Sequence, residues 1–177
     1  MAQSIYIREI TKNDTENILR WRNSPSVSEN FIYRTPLTKE DHENWLSTKV
    51  FSGKVAQFII EEKENNRPMG SVYLRDIDPI HKKAEFGIFI GEEAARGKGY
   101  GTQATLLALE QAFEKLDLNK VYLRVFAKNK RAVNCYRKAG FTEEGLFRED
   151  VWIDGIPYDM IFMGILKSQW KGNTEYD

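Results

Sequence analysis

The run Arg96-Gly97-Lys98-Gly99-Tyr100-Gly101-Thr102 has the composition of an anion cradle. Glycines at alternate positions let backbone amides approach an oxyanion without an intervening Cβ, and a helix starting there would add the positive end of its dipole. A tight turn ahead of a helix is the plainer reading of the same glycines. Two common phosphate loops fail on spacing. A Walker loop places four residues between its first glycine and Gly-Lys and follows the lysine with Ser or Thr, whereas Gly91 to Gly97 spans five and Lys98 precedes a glycine. The dinucleotide fingerprint is G-x-G-x-x-G, and Gly97, Gly99 and Gly101 give G-x-G-x-G. Downstream, residues 119–141 hold Lys120, Arg124, Lys128, Lys130, Arg131, Arg137 and Lys138 without one acid. In a chain with 26 basic and 26 acidic residues this is a local concentration of charge. It suits a phosphorylated small molecule better than a nucleic acid or an anionic membrane.

Such residues need elements to hold them. Residues 4–10 alternate as a strand does, and 14–23 place Ile18, Leu19 and Arg22 at helical spacing, with Pro25 expected to close that helix. Thr38 and Asp41 form a capping-box pattern that opens a helix through about Val50, ended by Gly53. Residues 55–62 and 69–77 flank a polar turn and predict an antiparallel hairpin, followed by a strand at 84–90. From Gly101 to Leu116 apolar residues recur at spacings of three or four beside a row of alanines, predicting a helix. A strand at 120–127, a helix at 130–139 stopped by Gly140, and a long hairpin at 145–166 turning at Asp154-Gly155 complete an α/β pattern.

The length of 177 residues and an apolar share of 41% fit one domain, read as residues 1–170 with a flexible tail at 171–177. A membrane helix needs about 20 mostly apolar residues, and the longest such run, Met160 to Leu166, is far shorter. The amino terminus has no apolar core of a signal peptide, and the lone Cys135 allows neither an internal disulfide nor a thiolate zinc site. A cytoplasmic location is the expectation. His42 and His81 make no metal-ligand spacing with each other or with Cys135, so no metal site is expected.

Two motifs give the chain a family resemblance. Arg96, Gly99 and Gly101 fit Arg/Gln-x-x-Gly-x-Gly/Ala, and Asn129, Ala132, Tyr136, Gly140 and Phe141 fit Asn-x-x-Ala/Ser-x-x-x-Tyr-x-x-x-Gly-Phe. With both, the chain resembles the GNAT superfamily of acyl-CoA-dependent N-acetyltransferases, strongly over residues 84–166 and in element order alone over 4–80. The resemblance implies a mixed α/β fold. Its central, mostly antiparallel twisted sheet would carry helices on both faces and be splayed between strands 84–90 and 120–127. It implies acetyl-CoA as cosubstrate, with the backbone of Phe89 and Ile90 serving the pantetheine arm like an added strand. Arg96, Gly97, Lys98, Gly99, Tyr100, Gly101 and Thr102 would serve the pyrophosphate. Asn129, with Arg131 and Ala132, would serve the pantetheine end and the second motif.

An alkylamine with a pKa of about 10.4 must lose a proton before it attacks, and a leaving thiolate with a pKa of about 8.5 gains from a hydroxyl donor. The resemblance assigns Glu85 to the first role, directly or through water, and Tyr136 to the second, with Asp159 as a weaker base or a substrate contact. A solvent-facing Glu85 and a core Tyr136 are the plain alternatives. Cys135 has no histidine nearby in sequence and reads as core rather than nucleophile. The acceptor pocket is expected from Trp21, Arg22, Glu29, Phe31 and Tyr33, with Trp152 and Asp159 from the closing hairpin. The closing sequence is similar to the branch that acetylates ribosomal-protein amino termini and to the spermidine enzymes. Residues 21–23 and 38–46 are similar to enzymes acetylating a nucleotide-linked aminosugar in pseudaminic acid synthesis. The acceptor is therefore a small-molecule or peptide amine, the chain a monomer or homodimer. The reading from another class is a non-catalytic acyl-CoA-binding or sensing module.

Overall fold

The computed structural model describes residues 4–172. Seven strands form one sheet: β1 (Ile5–Glu9), β2 (Ala56–Glu62), β3 (Pro68–Asp78), β4 (Lys83–Ile90), β5 (Lys120–Phe126), β6 (Thr142–Ile153) and β7 (Ile156–Leu166). Their order is β1-β2-β3-β4-β5-β7-β6. Every neighbouring pair is antiparallel except β4 with β5, which are parallel because the helix α4 (Tyr100–Glu110) crosses between them.

Strand alternation divides the apolar side chains between two faces. Phe58, Ile60, Val72, Leu74, Phe86, Val121 and Leu123 pack with Ala104, Ala108, Leu109 and Phe113 of the α4 region. On the other face Ile59 and Phe89 meet Ile18, Trp21, Val27 and Leu46, supplied by α1 (Thr15–Arg22), α2 (Pro25–Ser28) and α3 (Lys39–Trp45) with its continuation. Helices therefore cover both faces, as the family resemblance implies.

The feature that makes a site is a fork. Parallel pairing of β4 with β5 runs only through Lys83, Ala84 and Glu85, opposite Lys120, Val121 and Tyr122. Beyond Glu85 the strands part. β4 ends in a bulge in which the amides of Gly91 and Glu92 both donate to the Met69 carbonyl, at 2.8 and 3.0 Å. Gly91 is required there: a Cβ would lie 2.1 Å from Cγ of Trp21. Meanwhile β5 is held on its far side by β7 along its whole length, so it cannot follow β4.

Local chemistry explains where sequence and structure part. α1 ends at Arg22 and Ser24, before Pro25, is extended, as expected; Pro25 also stands first in the one-turn α2, where its missing N–H is no loss and its fixed φ is favourable. The Thr38 and Asp41 capping box forms as expected, with the Asp41 amide donating to Thr38 Oγ1 at 3.1 Å. α3 and α4 each run into a wide final turn, at Leu46–Val50 and Gln111–Lys115. The Asp154-Gly155 turn joins β6 to β7 with φ of 50° and 77°, both left-handed, which fits the twist of a hairpin. No helix among the described residues is long and apolar enough to cross a membrane. Residues 173–177 of the expected tail lie outside the described residues.

Candidate active site

A cleft of about 990 Å3 opens where β4 and β5 diverge, walled by α1–α3 on one side and by α4 and α5 (Lys130–Lys138) on the other. The glycine run forms its rim. Gly97 and Gly99 have φ of 81° and 80°, a conformation that favours glycine, and the space beside each is open. Gly99 is the N-cap of α4. The first intrahelical bond is from the Gln103 amide to the Gly99 carbonyl at 3.1 Å, so the amides of Tyr100, Gly101 and Thr102 are the unpaired donors that every helix start presents. No acid stands in that first turn. These donors and the dipole behind them fit an anionic ligand.

The charge around the cradle is partly engaged already. Lys120 pairs with Glu144, Arg124 with Glu85 and Arg137 with Glu143. Arg131 and Lys138 face the cleft and make no ion pair among the described residues. Arg96 also faces it, yet its guanidinium donates to the Ile90 carbonyl, from Nε at 3.2 Å and Nη2 at 3.1 Å, and from Nη2 to Ser26 Oγ at 3.1 Å. It ties the end of β4 to α2, so its visible work is to hold the loop, and it occupies the carbonyl of Ile90. Lys98 does not line the cleft; its ammonium lies 5.9 Å from the Tyr100 ring centroid, and the Tyr100 hydroxyl donates to Glu62 at 2.8 Å.

Asn129 caps α5 by accepting the Ala132 amide at 3.1 Å, and its amide nitrogen donates to Asn30 Oδ1 at 3.0 Å, bridging the two walls. About two helical turns on from Asn129, Tyr136 sits between Phe86 and Phe141, with ring centroids 5.9 and 6.0 Å away. Burial pushes its hydroxyl pKa up, and the neighbouring Cys135 and Tyr73 add to the rise, so it remains a proton donor throughout the neutral range. Burial likewise raises the Cys135 thiol, which lies 3.4 Å from Thr102 Oγ1. A thiol held in that form is a poor nucleophile.

Glu85 is the last paired residue at the fork and only 6% exposed. Arg75 reaches it from β3, with Nε 3.2 Å from Oε2 and Nη2 3.1 Å from Oε1; Arg124 reaches it from β5, with Nε 3.3 Å from Oε1. A carboxylate has about four acceptor directions, and these contacts leave one, on Oε2. Parity puts Glu85 on the α1–α3 face with Tyr73, Arg75, Phe89 and Arg124. Tyr136, packed on Phe86, belongs to the opposite face. The gap between β4 and β5 lets both face one space, since both line the cleft.

Of the residues expected at the acceptor, Arg22, Glu29, Phe31 and Tyr33 line the cleft. Three do not. Trp21 is 1% exposed beneath Gly91, its indole N–H donating to Glu92 at 2.8 Å, so it supports the bulge from inside. Trp152 is 64% exposed on the edge strand β6. Asp159 accepts the amide of Glu149 at 2.8 Å, where β6 bulges with a φ of 53°, and is part of the hairpin's own bonding. The sequence reading missed Tyr73, Arg75 and His42 as walls of the cleft. Its one available signal was parity, since Tyr73 and Arg75 share a face with Glu85 once the β3–β4 register is known.

Comparison with known proteins agrees with this geometry. The chain is 29% identical to the spermidine N(1)-acetyltransferase of Vibrio cholerae over 175 residues, covering 99% of this chain and 100% of that one. It is 33% identical over 103 residues, 58% of this chain and 56% of the other, to YdaF of Bacillus subtilis, named as a ribosomal N-acetyltransferase. The crystal structure of the Vibrio cholerae spermidine N-acetyltransferase in complex with CoA and spermine superposes with a TM-score of 0.87 at 28% identity, over 94% of this chain and 97% of that one. None of these is named as a non-catalytic binding module. The family model described as the acetyltransferase (GNAT) domain matches residues 4–142. The chain belongs to the GNAT acetyltransferase family and is an acyl-CoA-dependent N-acetyltransferase, moving an acetyl group from acetyl-CoA to an amine.

Proposed function

We propose that residues 4–170 act as one domain that acetylates a small-molecule primary amine by direct attack within a ternary complex. The observation that carries this reading is the fork at Glu85 and Tyr122, which opens one space to Glu85 from one face and to Tyr136 from the other. The phosphates of acetyl-CoA rest on the amides of Gly97 to Thr102, with Arg131 and Lys138 beside them. The pantetheine arm lies along β4 beyond Glu85, where the backbone edge has lost β5.

The amine nitrogen attacks the thioester carbon, a C–N bond forms and the C–S bond breaks. The departing thiolate takes its proton from Tyr136. The amine's proton passes, through a water on the remaining acceptor direction of Glu85 Oε2, toward that carboxylate. Arg75 and Arg124 hold Glu85 at the fork and take three of its acceptor directions, which leaves room for a water on Oε2 and favours a water relay over direct abstraction. Cys135 forms no acyl-enzyme.

Relatives named for spermidine suggest a polyamine acceptor, and the YdaF likeness suggests a peptide amino terminus. The cations on the acceptor wall favour neither. The location is read as cytoplasmic, where acetyl-CoA is available. Leu146, Phe147, Trp152 and Ile156, exposed along the edge hairpin, favour a homodimer over a monomer. The kinetic test is initial velocity against acetyl-CoA at several fixed amine concentrations. Intersecting lines, with no acetyl adduct on Cys135 by mass spectrometry, are expected. Parallel lines with an adduct on Cys135 would overturn the direct-attack reading.

A further inference from the structure

Among the described residues three buried side-chain nitrogens have no hydrogen-bond partner: Arg22 Nη1, His42 Nε2 and Trp170 Nε1. Arg22 and His42 both line the cleft, one from α1 and the other from α3. Two orphaned groups of complementary type on one wall are a specification for a ligand.

Arg22 lies over Phe31, its guanidinium carbon 3.4 Å from the ring centroid. Burial lowers its pKa; the Tyr73 phenol opposes that and Arg75 adds to it, and no carboxylate is in ion-pair contact with it among the described residues. A guanidinium stays charged in proteins, so this half-buried cation, with Nη1 enclosed, lacks an anion. The surrounding acids do not supply one. Glu85 is shared by Arg75 and Arg124. Asp41 takes the Thr38 amide and hydroxyl in the capping box. Glu29 is exposed at the mouth of the cleft, where water screens it. The acceptor wall thus carries the half-buried Arg22, Arg75 and Arg124 against the buried Glu85, with Glu29 and Asp41 exposed on the same cleft.

His42 is 2% exposed. The Thr15 hydroxyl donates to the Lys12 carbonyl at 2.8 Å, so its oxygen accepts from His42 Nδ1 at 3.1 Å. The proton is then on Nδ1. Burial holds the histidine pKa down, against smaller opposing effects of Glu43 and Asp14. Nε2 is therefore an acceptor that awaits an O–H or N–H.

We propose that the acceptor is a primary amine that also carries an anionic group, phosphate or carboxylate, bound by Arg22, and a hydroxyl or N–H bound by His42 Nε2. This deepens, and rests on, the acetyltransferase reading. A free polyamine would bring a second ammonium toward a wall already rich in guanidiniums and leave Arg22 unpaired. An aminosugar phosphate or a hydroxylated amino acid satisfies both groups at once.

The test follows thiol release from acetyl-CoA with glucosamine, glucosamine 6-phosphate, a nucleotide-linked 4-aminosugar, serine and spermidine. One of the anionic amines is expected to exceed glucosamine and spermidine at least tenfold in kcat/KM; serine against the phosphates tells carboxylate from phosphate. Arg22→Gln should raise the KM of that amine at least tenfold, with a smaller effect on kcat, and Arg22→Lys should keep part of the preference. Spermidine or glucosamine as the best acceptor, or an Arg22→Gln effect equal on anionic and uncharged amines, would overturn the proposal. If no amine in the set reacts, pyrophosphate and succinate are titrated into wild-type protein saturated with CoA. Binding that Arg22→Gln weakens tenfold supports the subsite; binding unchanged by the substitution, or none, overturns it. Acetyl-CoA affinity, measured in the same titration, reports separately on the cradle. Its loss would count against the acetyltransferase site itself.

Discussion

Replacing Tyr136 with Phe isolates one oxygen atom. The ring is held by Phe86 and Phe141 at 5.9 and 6.0 Å, and those contacts survive the substitution. What is lost, in the proposed role, is the hydroxyl that donates to the leaving thiolate. A hydrogen bond to a charged group contributes about 1.5–3 kcal/mol, which at about 1.4 kcal/mol per decade lowers kcat by about 10- to 150-fold. The fold should lose no more than about 1.5 kcal/mol, or about 5 °C in Tm for a chain of this size. Because burial raises the pKa of the hydroxyl, it is protonated in the wild type from pH 6 to 9. The ratio of wild-type to variant kcat should therefore be flat over that range. Thiol release measured across it, alongside thermal melting, checks both statements. A kcat within twofold of wild type, or a ratio that collapses between pH 7 and 9, would refute the assignment of Tyr136 as the donor.

Other outcomes follow from the same structure. Gly99→Ala forces an alanine to a φ of 80°, a strain of about 1–2 kcal/mol, and sets a methyl group in the open cradle. Lower Tm together with weaker acetyl-CoA binding by calorimetry is expected. Gly91→Ala would put a Cβ 2.1 Å from Trp21 Cγ inside the bulge, and overpacking of this kind costs about 1–3 kcal/mol by denaturant titration. His42 has a depressed pKa when folded, so as pH falls below about 6.5 the unfolded chain takes up a proton that the folded chain does not. The stability this histidine contributes is complete above that pH and lost below it. His42→Gln should flatten the decline in Tm between pH 7 and 5.

Much of the fold was legible because its signals are local. Alternation marked the strands, the Thr38 and Asp41 pair marked a helix start, and Asp154-Gly155 marked a hairpin turn whose φ values only such residues adopt readily. The cradle was legible for the same reason, since Gly97 and Gly99 have φ values that favour glycine. Position relative to a distant element was not legible. Trp21 looks like a ligand-stacking aromatic until Gly91 is placed over it, and Asp159 like a cleft carboxylate until Glu149 bulges toward it. Pro25 is locally ambiguous, because proline suits the first turn of a helix as well as the residue after one. The two arginines on Glu85 come from strands 10 and 39 residues away in sequence, and only the β3–β4–β5 register brings them together.

Acetyl transfer from acetyl-CoA to an amine in this cleft leaves two products, CoA thiol and an N-acetylated amine. Quantifying released CoA thiol and N-acetylated product in the same reaction tests it most directly, with hydroxylated anionic amines and polyamines as acceptors. Equimolar thiol and N-acetyl product that require an amine and fall together in the Tyr136→Phe variant are expected. Thiol release without N-acetyl product, or product formation that Tyr136→Phe leaves at the wild-type rate, would contradict it.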